Sequence, residues 1–296
     1  MSHDPIRIHA IYAVAGDEDL FPASLRSIYD QVDGITVITG YDTDWSGADR
    51  RSDRTVDHLL HGGLDPDRRV QILVERETNE ARSRNRAMDF AAGSARSRRV
   101  RRQSEHDQLL LPPDYFLIID ADEVYEAGAI DRLRAYVERR PRAVYRIGAR
   151  RYFKRWTYRV TGVEYSISLV RADVRLPYLR RTFVPVPRRA VARVPGMPRR
   201  VRDLALGYHD VPPDVAVFHH GSYVGPRRRI SDKLASFGHA HEVADHWIED
   251  VWDAFDPTME NFNPAYPEVF AACEDIDPAD LPREIREHPW PAGYLS

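Results

Sequence analysis

Residues 115 to 119 read YFLII, an unbroken apolar block followed at once by the acids of Asp-Ala-Asp-Glu. A strand with one wet face alternates apolar and polar residues, so an unbroken block has to be buried on both faces. Three further blocks, 6 to 14 (IRIHAIYAV), 35 to 39 (ITVIT) and 70 to 74 (VQILV), precede it. The stretches 19 to 31, 50 to 61 and 78 to 92 carry apolar positions at helical spacing, and 128 to 139 adds a fourth helix. Strand-helix alternation of this kind predicts an α/β fold: a mixed, mostly parallel sheet flanked by helices, in which ligands gather at the carboxyl ends of strands.

From 143 to 225 the texture turns β-rich, with AVYRIGARRYF, TYRVTGVEYSISLV and VAVFHH broken by proline-rich connections. Residues 227 to 255 form the longest helical candidate, with Gly238 as the position where it would break, and 256 to 296 are punctuated by seven prolines. The expected division is a domain over 1–225, then a C-terminal helix and a proline-rich wrapping tail over 226–296.

Composition narrows the class. With 43 basic and 46 acidic residues the formal charge is −3, which argues against a chain whose main work is wrapping nucleic acid. Only Lys154 and Lys233 are lysines; the other 41 basic residues are arginines. A single cysteine, Cys273, excludes an internal disulfide framework and suits a reducing compartment. The start MSHDPIRIHA has no basic region followed by an apolar stretch, and no apolar run approaches the roughly 20 residues a bilayer needs. A cytoplasmic protein without a transmembrane segment is the expectation.

The acids after YFLII are the first chemical candidates. Side chains two apart on extended backbone point the same way, so Asp120 and Asp122 can offer oxygen ligands to Mg²⁺ or Mn²⁺, and an ion so held can bind nucleotide phosphates. The plain alternative is an acidic turn before the helix near Gly128. His219 and His220 close another apolar strand, and His209, His239, His241 and His246 lie close by in sequence, six of the twelve histidines within 38 residues. Arg82, Asn85 and Asp89 share one helix face, whereas Arg84 reads as solvated helix surface.

Four stretches together resemble the GT-A glycosyltransferases, the inverting enzymes of family 2 and the bisecting β-1,4-mannosyl-glycoprotein N-acetylglucosaminyltransferase group. They are IYAVAGDEDLFPASLRSIYDQVDGITVITG at 11 to 40, NEARSRNRAMDFA at 79 to 91, DYFLIIDADE at 114 to 123 and FHHGSYVGPRRRISDKLASFGHAHE at 218 to 242. The resemblance implies transfer of a sugar from a nucleotide-diphosphate donor with inversion, to a glycan, lipid-linked, protein or modified nucleic-acid acceptor. It implies Mn²⁺ or Mg²⁺ on Asp120, Asp122 and His220, and donor contacts from Asp42, Asp44, Arg82, Asn85, Asp120, Lys233 and His239. Arg227 to Arg229 and Lys233 would help neutralise the leaving diphosphate, and Glu164, with Asp210 in reserve, would take the acceptor proton.

Rival readings are a metal-dependent hydrolase built on the Asp and His clusters and a non-catalytic polyanion-binding protein. The run SARSRRVRR, with Arg96, Arg98, Arg99, Arg101 and Arg102, reads as solvated loop or as a contact with an anionic surface. A nucleotidyltransferase is disfavoured because AVAGDEDLFP has no glycine-rich phosphate loop.

Overall fold

The computed structural model describes residues 5–14, 19–39, 55–74, 80–93, 100–101, 113–172, 178–179, 182–183, 208–236, 242–290 and 294–295. The α/β expectation holds. In chain order the elements are β1 (Ile8–Ala13), α1 (Phe21–Ile28), β2 (Gly34–Thr39), α2 (Thr55–Leu60), β3 (Val70–Val74), α3 (Glu80–Ala91) and β4 (Val100–Arg101). Then come β5 (Tyr115–Ile119), β6 (Glu123–Tyr125), α4 (Ala129–Arg139), β7 (Val144–Val160), β8 (Glu164–Arg171), β9 (Tyr178–Leu179) and β10 (Thr182–Phe183). The last are β11 (Tyr208–Asp210), β12 (Val217–Val224), α5 (Arg227–Ser236) and β13 (Cys273–Asp275).

Among the described residues, one mixed sheet runs β4-β3-β2-β1-β5-β8-β7-β12-β6, with β11 and β13 also on β7. Strands β3, β2, β1 and β5 are mutually parallel, with Ile11 opposite both Thr36 and Ile118. All five residues of YFLII are buried, because cores lie on both faces of this block. The chain steps from β1 to one side for β2 and β3 and returns to the other side for β5. The order therefore reverses between β1 and β5, and a crevice opens at the carboxyl ends of such a pair. Asp120 follows directly at that end of β5.

The seventeen-residue strand β7 carries the second half of the molecule. Strands β11 and β12 pair with it in parallel, and β8 and β13 in antiparallel fashion. The chain after 256 packs along it: the Trp156 N–H donates to the Tyr294 carbonyl at 2.9 Å, and Ile276, Leu281, Ile285 and Tyr294 join Trp156 and Tyr152 in one buried cluster. Phe153, on the other face, sits among Trp247, Trp252, Phe262 and Phe270. Truncating a buried aromatic of this size costs about 3–5 kcal/mol, so the tail contributes materially to stability.

The long helix expected over 227–255 is a correction. Helix α5 covers Arg227–Ser236 among the described residues, 243–246 are not helical, and a separate π-helical turn covers Ile248–Asp253. His246 between them has φ +57°, a left-handed conformation that a continuing helix cannot contain. No helix among the described residues is long and apolar enough to cross a membrane.

His9 on β1 faces β2, where its Nε2 lies 2.8 Å from the Thr36 hydroxyl. Its ring fills the space above Gly34, where a Cβ would come within 2.4 Å of Nδ1. Burial pulls this imidazole from 6.5 to about 4, with Asp33 opposing. The unfolded chain therefore takes up a proton before the native one does. The stability from neutral His9 is complete above pH 6.5 and is lost as pH falls towards 4, about 3 kcal/mol by linkage. Urea unfolding at pH 7 and pH 4.5 should show this fall in the wild type and a shallower one in His9→Gln. Equal falls would remove His9 as its source.

Candidate active site

The turn Asp120–Ala121–Asp122 links β5 to β6, closed by the Glu123 N–H bonding to the Asp120 carbonyl at 3.1 Å. Strand β6 is the edge strand paired with β12, with Glu123 opposite His220, so this short turn joins the carboxyl end of β5 directly to β12. The Gly221 N–H then donates to the Asp122 carbonyl at 2.8 Å, locking the turn to β12.

Asp122 is 3% exposed, and both of its oxygens are engaged. His220 Nε2 lies 3.3 Å from Oδ1, and Lys233 Nζ on α5 lies 3.1 Å from Oδ2. Burial alone pushes this carboxyl up, but Lys233, His220 and Arg229 together hold it well below its usual value near 3.8, so it is ionised. Asp120 is served separately: an Arg84 Nη of α3 lies 2.5 Å from its Oδ1. Its N–H donates to Glu123 Oε2 at 3.2 Å.

The two adjacent histidines have different surroundings because neighbouring strand residues face opposite ways. His219 is fully buried, its Nδ1 2.7 Å from the Tyr152 hydroxyl and its Nε2 3.4 Å from Glu126, and burial lowers its pKa. Such enclosure makes it a packed residue. His220 is the one turned to Asp122.

Glu164, at the start of β8, forms an ion pair with Arg151 of β7. Arg151 is the register partner of His220 on β12, so Glu164 stands two strands from His220, across β7, on the same face. Arg151 also lies over the Phe270 ring, 5.5 Å from its centroid. Asp210 instead grips Arg146 two-pronged, at 2.6 and 2.9 Å. Positions 146 and 151 are an odd number apart on a regular strand, so Asp210 is across the sheet from Arg151.

The structure thus brings together Asp120, Asp122, His220 and Lys233, places Glu164 on the same face across β7, and leaves Asp210 apart. Arg82 is exposed and Asn85 half-buried on α3. Asp42, Asp44, His239 and most of the Arg96–Arg102 run lie outside the described residues. Arg84 is a correction to the sequence reading: it is 2% exposed and paired, not solvated. Its spacing from Ala87, Met88 and Ala91, at i+3, i+4 and i+7, marks the inward face of α3 and was the available signal.

The arginines at the start of α5 also have structural partners. Arg227 reaches Asp253 and Glu249, and Arg229 donates to the Ser222 and Val224 carbonyls at 3.1 and 2.7 Å. The Ser222 carbonyl lies in the bulge where β12 slips register against β7, between His220 and Tyr223, and Val224 follows just after it. Arg229 therefore fixes the backbone from which His220 projects.

The donor set does not fit the divalent ion that the resemblance implies. An ammonium occupies one Asp122 oxygen and a guanidinium one Asp120 oxygen. Among the described residues no group of three or more His, Cys, Asp or Glu side chains is arranged to hold a metal. At an effective dielectric near 20, a divalent ion roughly 4 Å from a retained ammonium would meet about 8 kcal/mol of repulsion. Lys233 and an ion are alternatives at this carboxylate.

No family model matches the chain, and no curated protein matches it. Among solved structures it is similar to S. aureus TarS residues 1–349, at 11% identity and TM-score 0.41, covering 80% of this chain and 68% of that one. The same TarS region in complex with UDP-GlcNAc matches at 11% identity and TM-score 0.44, covering 80% and 69%. In complex with UDP it matches at 12% and 0.42, covering 80% and 68%. At these values the function has to be sought in the site's own residues.

Proposed function

We propose that this chain transfers a sugar from a nucleoside-diphosphate sugar to an acceptor hydroxyl, with inversion at the anomeric carbon. One observation carries the reading: Asp122 and Lys233, 111 positions apart in sequence, meet with His220 around one buried carboxylate. The place is the carboxyl end of β5, beside the β1–β5 reversal, where open α/β sheets take their ligands. These three residues also belong to the two motif stretches that resemble the GT-A enzymes.

The chemistry asked of the site is modest. The acceptor oxygen attacks the anomeric carbon, the bond from that carbon to the diphosphate oxygen breaks, and its electron pair leaves on the diphosphate. Positive charge fixed beside the leaving group lowers that barrier. The acceptor proton goes to Glu164, whose half-exposed carboxylate is oriented by its ion pair with Arg151. Asp210 serves as a structural partner of Arg146.

A ligand that binds only the native state stabilises it by about 2.7 kcal/mol at a hundredfold excess over Kd. For a chain of this size that is a melting-temperature rise of about 4 °C. UDP or GDP is expected to produce a rise of that order, measured with and without Mn²⁺, while inorganic phosphate at the same concentration does not. If neither nucleotide moves the transition under either condition, the donor-site reading fails.

A further inference from the structure

We infer that Lys233 is the resident cation of this site: its ammonium takes the place of a divalent metal, and the nucleoside diphosphate binds without one. The inference rests on the donor-site reading above and goes further by giving Lys233 the metal's place instead of a role beside it.

Three observations carry it. The first is the occupancy of Asp122, whose Oδ2 is taken by Lys233 and whose Oδ1 faces His220, while Asp120 is paired with Arg84. The second is how Lys233 is presented. Helix α5 buries Ile230 and Leu234 completely or nearly so, which fixes the turn from which Lys233 projects. The Lys233 side chain is 18% exposed and Asp122 3%, so of the pair it is the lysine that keeps access to solvent.

The third is compositional. Of 43 basic residues, 41 are arginines, yet the residue on Asp122 is one of only two lysines. A guanidinium is a broad planar fork, whereas an ammonium is a compact point charge with three donors that can be shared between a carboxylate and a phosphate oxygen. In a chain that uses arginine almost everywhere else, a lysine here points to a geometric need that arginine does not meet. As the anomeric carbon–oxygen bond breaks, the ammonium stabilises the charge arriving on the diphosphate and gives up no proton.

The test uses the full chain and two probes, UDP and GDP, titrated calorimetrically in EDTA and in Mn²⁺, together with Mn²⁺ alone followed by electron paramagnetic resonance. In the wild type, nucleotide affinity should be the same in EDTA and Mn²⁺, and Mn²⁺ alone should not be retained. Lys233→Ala should lose about tenfold or more in EDTA, as expected for one charge-assisted bond, and regain affinity with Mn²⁺ once Asp122 and His220 are open to it. Lys233→Arg should not restore binding in EDTA although it keeps the charge.

A wild-type affinity that rises about tenfold or more with Mn²⁺ would overturn the inference while leaving the donor site intact. So would stoichiometric Mn²⁺ on the wild type that Asp122→Asn abolishes. Should no nucleotide bind under either condition, the donor-site reading falls instead, and the Mn²⁺-alone arm still decides what occupies Asp122. The wild-type arms hold even if Lys233→Ala does not fold.

Discussion

Asp122→Asn should abolish most activity and destabilise the protein together. The substitution keeps the side chain's shape and removes its charge, leaving the Lys233 ammonium and His220 without their counter-charge in a site where the carboxylate was 3% exposed. Breaking a buried charge pair from one side costs about 3–5 kcal/mol. Nucleotide release from a sugar nucleotide with acceptor should fall by about a hundredfold or more, as when a preorganised charge partner is removed.

The sign of its pH dependence is set by the lowered carboxyl of Asp122. A carboxyl more acidic in the native than in the unfolded state stabilises fully above the ordinary value near 3.8. That contribution disappears as pH falls below it. Urea unfolding at pH 7 should therefore separate wild type from Asp122→Asn clearly, and the gap should narrow at pH 3. A gap of the same size at both pH values would mean that the lost stability came from packing and not from the charge.

Gly221→Val should be nearly as damaging, although it alters no charged group. A Cβ at position 221 would lie 2.6 and 2.7 Å from two ring carbons of Trp156. That indole is fully buried, packed against Tyr152 and Trp290 at ring distances of 5.1 and 5.6 Å, so it has no room to retreat. Strand β12 must give instead. That motion strains the 2.8 Å bond from the Gly221 N–H to the Asp122 carbonyl and carries His220 off the carboxylate.

Overpacking of this kind costs about 1–3 kcal/mol for an added methyl and more for valine. Combining Gly221→Ala with Trp156→Leu should recover part of that loss, with a coupling of about 0.5–3 kcal/mol in denaturation measurements. Strict additivity of the two changes would show that the indole is not what excludes a side chain at 221.

The parts of the molecule legible in sequence are those whose cause is local. YFLII is a strand buried on both faces because five successive apolar side chains leave no wet face. The Asp-Ala-Asp-Glu turn follows it because nothing apolar continues the run. Helices α1, α3 and α4 fall inside the expected stretches for the same reason, the 3.6-residue period of their buried positions. The tail beyond 256 shows its irregularity through its prolines.

Arg84, His219 and the non-helical stretch 243–246 were not legible in the same way. An arginine on a helix is usually solvated, and only a carboxylate arriving 36 residues later makes its burial favourable. Which of two adjacent histidines faces Asp122 depends on the register of β12 against β6 and β7, and a one-residue slip would exchange them. The interruption before residue 248 follows the left-handed backbone of His246, a residue type that forms helices acceptably elsewhere.

The chain's own order of residues thus determined the layered α/β plan, the acidic turn closing β5 and the candidates Asp120, Asp122, Lys233 and the His219–His220 pair. Period and polarity are properties of neighbours along the backbone. Tertiary structure decided which charges meet: Arg84 with Asp120, Lys233 and His220 with Asp122, Glu164 with Arg151, and Asp210 away from them all. Strand order and register set those pairings, and both arise from packing between segments distant in sequence, where Coulomb attraction acts only after the backbone has brought the groups within a few ångströms.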